Sequence, residues 1–218
     1  MDRNFTFEKI DTPEKAYVLG FLLADGYIDK KNMVELGSCI ADKEIIEFVA
    51  QIIKSEVHID NNFNKKTRRF PRARTSKKIK DITKFTGGRL KEERHYPKVK
   101  KELERFLLLG FFDGDGCITW GYRKDRNRIW QKVSFTSQLH LLEGVQQMLY
   151  KNLNISSTIR PKSKEKCFVI EFSNKKDVLK FLEFIYPNED FIILHRKYLK
   201  ANALRLELEE FGGTTNND

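Results

Sequence analysis

One apolar segment occurs twice in this chain, and it constrains the fold more than any other feature. Tyr17-Val-Leu-Gly-Phe-Leu-Leu-Ala-Asp-Gly26 returns as Leu107-Leu-Leu-Gly-Phe-Phe-Asp-Gly-Asp-Gly116, at an offset of 90 residues (25 to 115). Each copy reads as a helix holding two small residues four apart, Gly20/Ala24 and Gly110/Gly114. A glycine inside a helix costs about 1 kcal/mol against alanine, so its presence needs a reason. Small residues at i and i+4 share one helix face and let a second backbone approach closely. Two such helices in one chain are expected to pack on each other.

Both copies end in Asp-Gly. A helix C-terminus already carries about −0.5 of partial charge from unpaired carbonyls. Bringing Asp25 and Asp115 to neighbouring helix ends is therefore unfavourable unless a cation is present. Carboxylates and carbonyl oxygens together form a hard-oxygen site of the kind that suits Mg²⁺. A single Asp-Gly ending is equally an ordinary cap, with Gly26 or Gly116 in the left-handed conformation. The second copy, inside a longer duplication, favours the ion-binding reading.

The duplication continues beyond the helices. Ala41–Ile53 aligns with Ser137–Leu149 as an amphipathic helix, with Ile45, Ile46, Val49, Ile52 and Ile53 matching Leu141, Leu142, Val145, Met148 and Leu149. The offset is now 96 (45 to 141), so the second hairpin is longer by six residues. Thr75-Ser-Lys-Lys matches Ser173-Asn-Lys-Lys at 98, and each is expected to start a helix with Ser76 or Asn174 as N-cap. Between the helices, alternating segments predict antiparallel strands at 27–30, 33–41, 57–64 and 67–75, then at 117–123, 129–137, 156–163 and 166–173. Each half reads α-β-β-α-β-β-α, an α+β unit with helices on one sheet face and the other face uncovered. The repeats are expected at 1–88 and 99–211, joined by 89–98, with a final helix over Asp190–Glu210 and a frayed tail at 212–218.

Charge indicates the partner. The chain has 218 residues, a formal charge of +10 and a pI near 9.4, which favours a polyanion. Its 40% hydrophobic content and 17 Phe support a packed core. Cys39, Cys117 and Cys167 show no CxxC spacing, which argues against a disulfide framework or a zinc site. With no signal-peptide pattern and no apolar run of about 18 residues, a soluble intracellular protein is expected. An organelle, a bacterial cytoplasm and a phage-infected host fit equally.

The basic residues gather in the hairpins. Residues 61–80 hold nine Lys or Arg and no acid. Arg68, Phe70, Arg72 and Arg74 share one strand parity, yet the aligned Phe168, Ile170 and Phe172 look like a core face, so which arginines meet a partner stays open. A second group surrounds Trp120 and Trp130, and Lys162, Lys164 and Lys166 form a third. A two-stranded ribbon fits the major groove, where Arg reads guanine. Strands of about 8–9 residues span about 30 Å. That is about nine base pairs per half, hence a site of roughly 18–20 base pairs.

These residues resemble a known family. Val18–Gly26 and Leu108–Gly116 are similar to the nine-residue motif of the LAGLIDADG homing endonucleases, in the single-chain form with two copies. Leu23 stands where the motif has its earlier Asp, and the resemblance covers about residues 14–208. It implies motif helices packed between pseudo-symmetric halves, with the sheets forming a DNA-binding saddle. It also implies a monomer that makes a double-strand cut in DNA across the minor groove, leaving short 3′ overhangs. Asp25 and Asp115 would be metal ligands with the carbonyls of Ala24 and Gly114. Mg²⁺ is the implied cofactor, with Mn²⁺ as a substitute and Ca²⁺ as an ion that binds without supporting cleavage.

In such a site, metal lowers the pKa of the attacking water and stabilises the leaving oxygen. Asp42 and Gln138, just before the second helix of each half, would orient water, and they read equally as helix caps. A basic residue near each metal is implied at Lys91 in the first half and at His195 or Lys197 in the second. DNA contacts fall to Lys65, Arg68, Arg69, Arg72, Arg74 and Lys77, to Arg123, Lys124, Arg126, Arg128 and Lys132, and to Lys162 and Lys164. Alternatives are an intron RNA maturase and a DNA-binding regulator with a decayed centre. Retention of both Asp25 and Asp115 argues against decay.

Overall fold

Thr12-Pro13 opens the first motif helix. The Thr12 hydroxyl accepts from the Lys15 amide at 3.3 Å and Pro13 occupies the first turn, where its missing N–H is harmless. This helix, α1 (Pro13–Asp25), is buried from Lys15 to Ala24. The computed structural model describes residues 7–61, 71–162, 167–188, 190–191 and 193–210. In the first half, α1 is followed by β1 (Tyr27–Ile28), β2 (Met33–Cys39), α2 (Lys43–Ile53), β3 (Val57–Asp60), β4 (Arg72–Lys78) and a single turn, α3 (Thr83–Thr86). The second half runs α4 (Glu104–Asp115), β5 (Gly116–Arg123), β6 (Arg128–Ser137), α5 (Leu139–Leu153), β7 (Thr158–Pro161), β8 (Phe168–Phe172), α6 (Lys175–Ile185) and α7 (His195–Glu210).

The two antiparallel sheets share one topology, β1-β2-β4-β3 and β5-β6-β8-β7. In each, alternate residues point at the helices. Val34 and Leu36 of β2 and Ala73 and Thr75 of β4 are buried on α2, which contributes Ile45, Ile46, Val49 and Ile53. Val133, Phe135, Ile170 and Phe172 are buried likewise with Leu141, Leu142, Val145 and Leu149 of α5. The expected α-β-β-α-β-β-α order holds in both halves.

Residues 1–114 and 115–218 form the two compact units. This division lies later than the sequence repeat because α4 packs with α1. Among the described residues, no helix is long and apolar enough to cross a membrane.

Three local expectations are corrected. Ser76 caps no helix: it lies inside β4, paired with Glu35 of β2, and its carbonyl accepts from the Ser55 hydroxyl at 2.5 Å. Asn174 does cap α6, accepting from the Lys176 amide at 2.9 Å. The alignment at 98 therefore breaks at this point. Buried Ala73 and Thr75 take the face that Ile170 and Phe172 take in β8, so the strands correspond at an odd offset, and a one-residue slip exchanges the faces.

The final helix starts at His195, where the Leu194 carbonyl receives the amides of Lys197 and Tyr198 at 3.1 and 3.2 Å. Neither motif glycine is left-handed. Gly26 has φ −77°, and Gly116 begins β5. Gly26 is required by space instead, since a Cβ there would lie 2.1 Å from Leu22 Cδ1 and 2.6 Å from its carbonyl oxygen.

Candidate metal centre and nucleic-acid interface

The small residues do bring two backbones together. A Cβ on Gly20 would stand 2.1 Å from the Leu107 carbonyl oxygen, and one on Gly110 would stand 2.0 Å from that of Tyr17. Contacts this short exclude any side chain, so α1 and α4 touch main chain to main chain within the first compact unit. The pair also makes a polar contact. The Tyr17 hydroxyl donates to Asp113 Oδ2 at 2.8 Å, both residues being buried. Ninety residues away in the duplication, the equivalent positions are Leu107 and Leu23, also buried. The extra Asp of the second copy is thus matched by a Tyr, and its absence from the first by a Leu.

Asp25 ends α1 with its side chain exposed. Its Oδ2 lies 3.3 Å from where a Gly114 Cβ would be, and that Cβ would overlap Ala24 at 2.4 Å. Gly114 therefore keeps the space beside the carboxylate open. Below it, Arg94 is 2% exposed and donates to the carbonyls of Leu22 and Gly26, each at 3.0 Å, and to that of Arg89 at 2.9 Å. In the second unit, Asp115 Oδ2 accepts from the Ser137 hydroxyl at 2.7 Å, and buried Lys197 donates to the Gly116 carbonyl at 2.7 Å.

Among the described residues, no three His, Cys, Asp or Glu side chains cluster. A closed all-protein cage is thereby absent among them. An exposed carboxylate beside open space fits instead a Mg²⁺-like ion, which keeps waters and takes one or two carboxylates plus substrate phosphate.

The first sheet presents a polar open face next to Asp25. Asp25, Tyr27, Glu35, Gly37, Asp60, Arg72 and Arg74 line one depression of about 300 Å³. Arg74 crosses Gly37, where a Cβ would meet its Cγ at 3.0 Å, and its guanidinium lies 3.7 Å from Glu35. The parity question is thus resolved: Arg72 and Arg74 are exposed and face away from α2. Lys77 is on the opposite parity and donates to the Lys54 carbonyl at 3.0 Å, closing the end of α2. Lys65, Arg68 and Arg69 lie outside the described residues, as does Lys164.

On the second sheet, Thr119 faces Lys132, Gly121 faces Trp130, and Arg123 faces Arg128 across β5 and β6. Lys132 bonds Glu171 at 2.8 Å, and Arg160 approaches the other oxygen of Glu171 at 3.4 Å. Arg160 was not among the expected contacts. Lys124 and Arg126 form the tip of the hairpin, with Arg123 and Arg126 on Asp125 at 3.1 and 3.6 Å. Lys162 reaches Thr136 at 3.4 Å. The two tryptophans part company: Trp130 is 42% exposed on the open face, whereas the Trp120 ring has the Lys200 ammonium 5.6 Å from its centroid.

The remaining expected residues are placed as follows. Asp42 (buried) and Gln138 (half-buried) both hold N-cap positions, yet neither makes a side-chain capping hydrogen bond. Lys91 lies in a short 3-10 turn, Lys91–Glu93, and it is Arg94 that reaches the helix end. His195 is exposed, and Lys197 is the second-half residue that reaches the motif. Nothing in the local pattern marks Arg94 or Ser137; only the tertiary contacts show them.

The sequence matches the model of the LAGLIDADG-like domain over residues 102–186. No curated protein matches it in sequence. In fold it is similar to the I-LtrWI LAGLIDADG homing endonuclease bound to target DNA, with TM-score 0.63 and 11% identity over 93% of this chain and 91% of that one. I-SmaMI bound to uncleaved DNA target in the presence of calcium ions gives 0.60 and 11%, over 95% and 100%. I-GzeII in complex with its DNA target gives 0.60 and 9%, over 94% of each chain. The doubled motif, the repeated sheet topology and the matched domain agree: residues 102–186 are similar to the LAGLIDADG-like domain, and the chain has the fold of the solved LAGLIDADG homing endonucleases.

Proposed function

We propose that the protein is a sequence-specific DNA endonuclease that makes a divalent-metal-dependent double-strand break with short 3′ overhangs. The observation that supports this most is the carboxylate closing each copy of the motif, on helices packed backbone to backbone. A protein that only bound DNA would gain nothing from two acids at the negative ends of helices. Asp25 and Asp115, with the carbonyls of Ala24 and Gly114, would hold the metal. When bound, the metal lowers the pKa of the attacking water and stabilises charge on the phosphate. Ser137 fixes the orientation of Asp115 through its hydrogen bond. Asp42 and Gln138 would orient the nucleophilic water, the role that the resemblance implies for them. Arg72, Arg74, Arg123, Arg128, Lys132 and Arg160 present cations on open sheet faces, suited to about 18–20 base pairs of duplex. The solved relatives bound to DNA, one of them with calcium, agree with this reading.

The test is cleavage of a randomised duplex library with Mg²⁺, with Ca²⁺ and with chelator. Cutting at a defined long site with Mg²⁺, binding without cutting in Ca²⁺, and no cutting in chelator are expected. Asp25→Asn and Asp115→Asn should each abolish the double-strand break while DNA binding persists. Tight binding to structured intron RNA with no DNA cleavage would instead establish the maturase role.

A further inference from the structure

Each open sheet face carries a carboxylate braced against a cation on the next strand. In the first sheet, Glu35 of β2 pairs with Tyr27 of β1 and Ser76 of β4, and its Oε1 lies 3.7 Å from the Arg74 guanidinium. Arg74 in turn faces His58 of β3. The row Tyr27, Glu35, Arg74, His58 therefore crosses all four strands. In the second sheet, Thr119 of β5 faces Lys132 of β6, whose ammonium donates to Glu171 Oε1 of β8 at 2.8 Å. Arg160 of β7 donates to the other oxygen of Glu171 at 3.4 Å. The row Thr119, Lys132, Glu171, Arg160 crosses this sheet in the same way. The acid stands on the second strand of one row and on the third of the other, so Glu35 braces one cation and Glu171 two.

Affinity and stability do not account for these acids. The Glu35 side chain is 46% exposed and that of Glu171 27%, and ion pairs at such exposure contribute little to folding. A fixed negative charge on a face that meets phosphates opposes binding. What a carboxylate supplies there is discrimination. A loose Arg or Lys follows any phosphate, whatever the sequence. A cation held by Glu gains little by moving to a phosphate, because the move leaves a bare carboxylate facing a polyanion. Base edges change that balance: guanine N7 and O6 accept from the cation, while cytosine N4 or adenine N6 donates to the carboxylate. We propose that Glu35 and Glu171 are specificity-determining residues, each holding its neighbouring cations as fixed base readers, withholding them from phosphates, and accepting an exocyclic amine of cytosine or adenine in the major groove.

These roles rest on the proposed function, in which the open faces carry duplex DNA. A preferred duplex is selected from a randomised library by binding to the wild-type chain in Ca²⁺. The full chain and its Glu35→Gln, Glu35→Ala, Glu171→Gln and Glu171→Ala variants are then titrated by fluorescence anisotropy in Ca²⁺ at several salt concentrations. The probes are the selected duplex, its single-base-pair changes and a duplex of random sequence. Each variant should bind the random duplex about threefold or more tightly than wild type, because a repelling charge is gone. Each should also lose about tenfold in preference at one or two base pairs. The slope of log affinity against log salt should steepen by about 0.9 for Glu35 and about 1.8 for Glu171, as one or two cations pass to phosphates. Melting temperatures should stay within about 2 °C of wild type. Unchanged preference and slope, the behaviour of a plain surface ion pair, would overturn the inference. Equally weakened binding to every duplex would do the same. Loss of preference in a chain that binds DNA but cuts none with Mg²⁺ would refute the nuclease reading and support this inference. A wild type that cuts one defined site, with variants of unaltered preference, would do the reverse. A wild type with no preference for any duplex would overturn both.

Discussion

Replacing Gly20 by Ala sets helix propensity against packing. Propensity alone favours the alanine by about 1 kcal/mol in a helix interior. The packing of α1 on α4 predicts the opposite sign. The new Cβ would stand 2.1 Å from the Leu107 carbonyl oxygen and 2.8 Å from the Phe111 amide nitrogen. Ordinary contact begins near 3.4 Å, so the helices must part by about 1.3 Å. Both obstacles are main chain, which cannot swing aside. A gap of 0.5–1 Å already removes about a quarter to a half of a contact's attraction. Overpacking typically costs about 1–3 kcal/mol, and an interface without side-chain slack should lie at the upper end. After subtracting the propensity gain, a net loss of about 2 kcal/mol remains, or roughly 4–8 °C in melting temperature for a chain of this size.

Gly121→Ala is the control. Its Cβ would meet the Trp130 indole, with the nearest atom at 2.9 Å, and that side chain is part-exposed and able to rotate. Its effect should stay within about 0.5 kcal/mol. Urea unfolding and calorimetry of the full chain measure both variants. A Gly20→Ala protein as stable as wild type, or more so, would refute the close helix contact and with it the reason for the small residues.

Further outcomes follow from other contacts. Tyr17→Phe removes one donor from buried Asp113 and should cost about 1–3 kcal/mol. The double change Tyr17→Leu with Asp113→Leu, which copies the Leu107 and Leu23 pair, should recover most of that loss, as a double-mutant cycle would measure. The Tyr96 hydroxyl is buried without a partner, and burial pushes its pKa well above the ordinary 10.0. The folded chain then holds a proton that the unfolded chain releases above about pH 10, so Tyr96 adds an alkaline loss of stability beginning there. Tyr96→Phe should remove that loss and leave stability at neutral pH unchanged or raised, as thermal melts against pH would report. Arg72→Ala with Arg74→Ala, or Arg126→Ala with Arg128→Ala, should weaken DNA binding. Titrations at several salt concentrations separate a lowered salt slope, which marks phosphate contacts, from relaxed preference at one or two base pairs, which marks base readers. Unchanged affinity, slope and preference in both would exclude these faces.

The element order was legible because its signals are local and repeated. Apolar spacing in α2 and α5, small residues in α1 and α4, and turn-bounded alternation in the strands each act within a few residues. The duplication doubled every such signal, so even the helix pairing could be read from glycines that a lone helix would avoid. What stayed hidden depends on register and on residues far apart in sequence. Whether Arg72 or Ala73 faces outward is decided by pairing with Cys39 and Ser38, and a one-residue error in aligning the halves reverses it. Ser76 has the residue type of a cap, yet the β2 ladder claims its backbone first.

The site divides in the same way. Asp25 and Asp115 were identified by the motif, since a helix that ends in a carboxylate states its charge in the sequence. Arg94, 68 residues from Gly26, and Lys197, 81 residues from Gly116, could not be chosen over Lys91 and His195 by spacing. Exposed neighbours of the same charge look alike in a sequence. Only the tertiary structure shows which cation is taken out of water and which carbonyl receives it, because burial is a property of everything packed around a residue and not of its position in the chain.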